Sequence, residues 1–127
     1  SKFKTQFACE VKGFNPEEYL DRKEARKLDP YSQYGIAAAI QAVRDAGLDK
    51  EGAFDSDRAG VIWGSGIGGL QTFQDECFGF AKGDGTPRFN PFFIPKMIAD
   101  ICGGHISIMF GMRGPNFTTC SACASST

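Results

Sequence analysis

Apolar positions along this chain fall into blocks of different period, and the blocks predict alternating helices and strands. The opening stretch, residues 1–14, carries strand-like residues (Phe3, Phe7, Val11) without a start signal. Asn15-Pro16-Glu17-Glu18 then reads as a helix start, with Asn as cap, Pro at the first helical position and acids at the positive dipole end. Asp29-Pro30 repeats the signal and opens a helix to about Ala46, closed by Gly47. Its centre, Ile36-Ala37-Ala38-Ala39-Ile40, is apolar nearly all round, which predicts burial and close neighbours.

Arg58 to Trp63 is a short apolar run that suits a buried strand. It runs into Gly64-Ser65-Gly66-Ile67-Gly68-Gly69 and then an amphipathic helix from Leu70 to Ala81. Residues 83–91 read as loop. Pro95 opens a predicted long apolar helix through Met97, Ile98, Ile101, Ile106 and Phe110, ended by Gly111. Gly103-Gly104 inside it costs about 1 kcal/mol per Gly relative to Ala, which predicts a partner packed close to that backbone. Gly114-Pro115 turns the chain into a β-prone run, Asn116 to Cys120, and a stretch of small residues follows to Thr127. Helices alternating with strands predict an α/β fold, here as one unit over residues 1–127 with no internal repeat or linker.

The chain has 127 residues, 14 Lys+Arg against 15 Asp+Glu, and a formal net charge of -1. The missing basic surplus speaks against nucleic-acid binding. No apolar run reaches the length of a membrane span, and no basic-then-apolar start reads as a signal peptide, so a cytoplasmic protein is expected. Five cysteines, at positions 9, 77, 102, 120 and 123, are odd in number and irregularly spaced, so reduced thiols are expected rather than a disulfide scaffold. With a single His and only one ligand-like Cys spacing, neither a metal nor any other cofactor is expected. Sixteen Gly beside twelve Phe suggest close backbone approaches next to apolar walls, as in a pocket.

Three places carry candidate chemistry. Gly64, Gly66 and Gly69 satisfy G-x-G-x-x-G between a strand and a helix, but the second strand with an acidic ribose ligand, which a dinucleotide site requires, has no candidate in the loop that follows. Tight turning and close packing explain these glycines better. Arg22, Lys23, Arg26 and Lys27 would fall within about 140° of a helix surface. Such a concentration is either relieved by acids such as Glu24 or used to attract an anion. Cys123 sits where β-prone residues give way to a helix start, among Ala122, Ala124 and Ser125. A thiol there feels the positive end of the helix, and free backbone N–H groups can hold an oxyanion, as in a nucleophile elbow with sulfur in place of oxygen. A buried structural cysteine is the alternative, and Cys120 fits it. A Cys120–Cys123 redox pair lacks an aromatic lead-in.

Phe117 to Thr127 (FTTCSACASST) resembles the nucleophile segment of the β-ketoacyl-[acyl-carrier-protein] synthases. Residues 21–39, 64–70 and 91–116 resemble the same family in the same order, most of all its synthase II branch, with Ile67 where that branch carries a bulky acyl-pocket gate. The resemblance implies a thiolase-like αβαβα fold, of which this chain is a partial first half with the nucleophile at its C-terminal end, and a homodimer. It implies a decarboxylative condensation in which Cys123 takes an acyl group from acyl carrier protein as a thioester and a malonyl-loaded carrier extends it. Ile67, Phe93 and Ile94 would line the acyl pocket, and Lys23, Arg26 and Lys27 would bind the acidic carrier protein. The family's two catalytic His and its Lys follow the nucleophile, beyond residue 127, so a fragment is expected whose remaining chain supplies them. His105 precedes Cys123 and is expected to be a hydrogen-bonded structural residue. A non-catalytic or polyketide-type relative, and more remotely a dinucleotide-binding domain, are the alternatives.

Overall fold

The computed structural model describes residues 2–126; Ser1 at the start of the opening stretch, Thr127 at the end of the small-residue run and the side chain of Ser126 lie outside the described residues. Among the described residues, 2–14 pair with no strand and leave Phe3, Phe7 and Val11 exposed, so these strand-like residues join no sheet. A 3₁₀ turn, Pro16–Glu18, follows, capped by the Asn15 side chain accepting from the Glu17 N–H at 3.1 Å. The basic stretch forms only one α-helical turn, α1 (Arg22–Ala25), with Asp21 as its cap. Helix α2 (Pro30–Asp45) starts on Asp29 and ends before Gly47, whose φ of +67° favours glycine.

Strand β1 (Val61–Gly64), helices α3 (Leu70–Lys82), α4 (Phe93–Met97) and α5 (Ile101–Phe110), and strand β2 (Asn116–Thr119) complete the described order, before a last 3₁₀ turn, Ala122–Ser126. The two strands are parallel, with Val61 opposite Asn116 and Gly64 opposite Thr119, and α3, α4 and α5 form the crossover that a parallel pair requires. The α/β expectation holds.

The core lies between α2, α5 and one sheet face: Leu28, Ile36, Ile40, Val61, Cys102 and Ile106. Gly35 lets the layers meet, because a Cβ there would stand 2.5 Å from the Cys102 sulfur and 2.7 Å from the Trp63 ring. Expected burial of the α2 centre is met on one side only, since Tyr34 and Ala38 stay exposed. The opposite sheet face is bare, with Ile62 68% and Phe117 50% exposed.

The expected long helix from Pro95 is two helices. Ile98 turns extended (ψ 140°) because tertiary donors claim the carbonyls at the break: the Gly69 N–H reaches the Met97 oxygen at 2.9 Å, and the Tyr31 hydroxyl reaches the Ile98 oxygen at 2.6 Å. Of the two glycines in α5, Gly103 has the expected close neighbour, since a Cβ there would stand 3.3 Å from the Trp63 side chain, whereas Gly104 faces open space.

Candidate active site

Both parallel strands end on the same edge, and the segments that leave them meet there, where α/β sheets place their sites. The loop after β1 is latched to the segment after β2 at two points. The Ser65 N–H donates to the Thr119 oxygen at 3.1 Å, and the Cys120 thiol donates to the Gly66 oxygen at 3.3 Å. Cys120 is therefore an exposed tether between two loops, not the buried residue that fits the structural reading.

The turn after β2 carries Cys123. Ala122 has φ +49°, the one positive value at a non-glycine among the described residues, in a region that costs an L-residue strain. Helical turning starts at Ala122 rather than at Cys123. Cys123 is exposed, and its backbone N–H finds no acceptor among the described residues. An open cleft of about 620 Å³ lies beside this turn, with Trp63, Thr119, Ser121, Ala124 and Ser125 in its walls; Cys123 itself is not among the lining residues.

On the other side of the glycine loop a second cleft, of about 600 Å³, is mostly apolar and includes Ile67 with Tyr31, Tyr34, Trp63 and Leu70. The loop is seated on α4: a Cβ at Gly68, where φ is +94°, would stand 2.4 Å from the Met97 oxygen, and one at Gly69 would stand 2.4 Å from the Lys96 oxygen. Buried Asp29 fixes the same junction from below by capping Tyr31 at 3.0 Å and accepting from the Thr72 N–H and hydroxyl at 2.8 and 2.7 Å. Ile67, in that loop, is itself 69% exposed, and neither Phe93 nor Ile94 lines the cleft that includes it. Phe93 stacks between Phe73 and Phe89 at 6.4 and 5.7 Å, and Ile94 is exposed.

The basic helix α1 shares neither cleft. Lys27 pairs with Glu24 at 2.8 Å and Arg22 with Glu17 at 3.5 Å, so acids relieve half of the concentration. Lys23 and Arg26 have no acidic partner among the described residues. Behind α1, His105 is half-buried beside Leu28, Ile36 and Met109, and burial pushes its pKa down. It makes no side-chain hydrogen bond among the described residues, so the hydrogen-bonded role expected of it is not met.

The Beta-ketoacyl synthase, N-terminal domain profile matches residues 2–127. The chain belongs to that family. It is 44% identical over 123 residues to the 3-oxoacyl-[acyl-carrier-protein] synthase 2 of Vibrio cholerae serotype O1, covering 97% of this chain and 29% of that protein. It is 44% identical over 125 residues to the Staphylococcus aureus protein of the same name, covering 98% and 30%. The chain thus spans about 30% of the length of these curated relatives. Among solved structures, a ketosynthase bound to the hexaketide in complex with its type II polyketide acyl-carrier protein superposes with a TM-score of 0.71 at 26% identity, over 84% of this chain and 31% of that one. The ishigamide ketosynthase/chain length factor superposes at 0.73 and 23% identity, over 87% and 31%, which speaks to fold alone. This ketosynthase domain has the thiolase-like α/β fold of its neighbours.

Proposed function

We propose that the protein carrying this domain is an acyltransferase that elongates fatty acyl chains by decarboxylative Claisen condensation on Cys123. The observation that carries this reading is the exposed Cys123 on a left-handed turn at the shared edge of two parallel strands, in a chain of the ketoacyl synthase family. The Cys123 thiolate attacks the thioester carbonyl of an acyl-loaded carrier protein, and the unengaged Cys123 N–H holds the oxyanion. The carrier's thiol leaves, and the acyl group stays on sulfur. A malonyl-loaded carrier then loses carbon dioxide, its carbanion attacks the acyl carbon, and the Cys123 thiolate departs to give the 3-oxoacyl carrier. The two His that stabilise the decarboxylation carbanion in the family, and the family's Lys, come from chain beyond residue 127.

Ile67 gates the acyl chain from the apolar cleft, and Phe93 and Ile94 line the acyl pocket across a homodimer interface. Exposure of Ile94 beside the stacked phenylalanines supports a further surface closing on α4. Lys23, Arg26 and Lys27 bind the acidic carrier protein, and the free charges of Lys23 and Arg26 are the strongest part of that assignment. Fatty rather than polyketide chains are favoured by the 44% identity to 3-oxoacyl synthases against 26% to the polyketide ketosynthase. A non-catalytic relative would lack the nucleophile, and Cys123 argues against one.

Acyl transfer by the full-length protein tests the whole reading. Cys123→Ala abolishes it, while Cys120→Ala keeps most of it; comparable activity in both variants sinks the assignment. Reversing Lys23, Arg26 and Lys27 to Glu lowers turnover with carrier-bound substrate about tenfold, less so at high salt, and spares small thioester mimics. Equal losses on both substrates would show that the patch docks nothing.

A further inference from the structure

Two hydroxyls close a ring around the proposed nucleophile. Ser125 Oγ accepts from the Ser121 N–H at 2.8 Å and donates its own proton to the Ala122 oxygen at 2.8 Å. Thr119 Oγ1 donates to the Ser125 carbonyl oxygen at 2.9 Å. Thr119 is still part of β2, paired with Gly64, so the ring ties the turn to the rigid end of the sheet. Resting on the reading of Cys123 as the acylated residue, we propose that Ser125 and Thr119 are positioning residues that clasp the backbone on both sides of Cys123 and hold its sulfur in line with an incoming thioester.

The strained residue shows why a clasp is needed. Ala122 stands at φ +49°, where only glycine is at ease, and nothing in its methyl side chain holds it there. The Ser121 N–H and the Ala122 carbonyl are engaged by the same Ser125 hydroxyl, and the one further backbone–backbone bond across the turn among the described residues is the Ala124 N–H to the Ser121 oxygen at 3.1 Å. Loss of that hydroxyl frees Ala122 to relax to the right-handed region, which redirects the next Cα–Cβ bond, that of Cys123. Ser125 does not act as the base for the thiol, because its single proton and one of its lone pairs are already committed to backbone. Its effect runs through Cys123. Thr119 and Ser125 also form part of the wall of the 620 Å³ cleft beside the turn.

Single-turnover transfer from an acyl-loaded carrier protein to the full-length enzyme, read as added mass on Cys123, tests the clasp. Ser125→Ala and Thr119→Val are expected to slow acylation about 10- to 100-fold, the cost of misplacing a reacting atom by about 1 Å. KM for the carrier stays within about twofold, because docking is untouched. Ser125→Thr, which keeps the hydroxyl, restores most of the rate, a recovery that lost packing alone would not show. Wild-type acylation in Ser125→Ala, or equal slowing in Ser125→Ala and Ser125→Thr, overturns the proposal. If Ser125→Ala does not fold, Thr119→Val decides by the same rate, since it removes one donor and keeps the shape. Acylation that survives Cys123→Ala would instead remove the reading on which the clasp rests, a separate result.

Discussion

Around Cys102 three elements close on one another, while around Cys123 two loops meet at an open edge. Cys102 is fully buried, with Gly35 of α2 above it and Trp63 of β1 alongside, and its nearest hydrogen-bonding neighbour is the Ser32 carbonyl at 3.9 Å. Burial removes water from the thiolate and pushes the thiol pKa up to about 12. Cys123 has the same side chain, but solvent reaches it, and the strain of its turn is held by hydrogen bonds rather than by packing. Side-chain chemistry alone does not separate an accessible cysteine from a sealed one. Backbone shape and access do.

The largest contrast should appear in thiol chemistry. With iodoacetamide at pH 8 on the folded full-length protein, Cys123 is alkylated and Cys102 stays unmodified until the protein unfolds. Mass analysis of the peptides reads this directly. Modification of Cys102 at the rate of Cys123 would mean that the α2–α5 seam opens readily, and the comparison would fail.

Packing at the closed region should be nearly as unforgiving. Gly35→Ala places a methyl 2.5 Å from the Cys102 sulfur and 2.7 Å from Trp63, so α2 must move away from the sheet. Overpacking of this kind costs about 1–3 kcal/mol. Gly104→Ala, on the unobstructed side of α5, gains up to about 1 kcal/mol in helix propensity instead. Thermal midpoints of the two variants should therefore move in opposite directions, and a shared direction would refute the seam described here.

Caps and stops are readable from residue type because they are local. Asn15 and Asp29 each serve the N–H two residues on, and Gly47 and Gly111 take φ values of +67° and +64°. The strand before the glycine loop and the helix after it are readable for the same reason. What the sequence does not show is decided between distant segments. The break at Ile98 exists because Tyr31 and Gly69 donate to carbonyls at the end of α4. Asp29 has a second duty toward Thr72, which lies 43 residues away and has no local signature. At the candidate site, the exposed setting of Cys123 after a strand and within a helical turn is foreshadowed by its small neighbours. The clasp by Ser125 is not, because a serine in a small-residue run looks like permission for a turn rather than the bond that holds it. Cys120 misleads for a related reason: a cysteine in a β-prone run suggests burial, and only the approach of the Gly66 loop gives its thiol a partner at the surface.

The smallest expected effect comes from His105, which titrates within the closed region and has no counterpart at Cys123. Burial holds its pKa below the usual 6.5, with Glu24 raising it and Lys27 lowering it by smaller amounts. In the unfolded chain the imidazole takes its proton near pH 6.5, whereas in the folded chain it does so only at lower pH. Between those values the unfolded state binds more protons, so stability rises with pH. The contribution is complete above pH 6.5 and is lost as pH falls through the depressed folded value. Asp57, held below the usual carboxylate range by its hydrogen bond and charge pairing with Arg113, loses its contribution only below about pH 3.8, so the windows separate. Denaturation midpoints of the full-length protein between pH 7 and pH 5 should fall more steeply for the wild type than for His105→Gln, which cannot take a proton there. Parallel slopes would place His105 in water rather than against Leu28 and Ile36, and the closed region would then be more open than the seam at Cys102 implies.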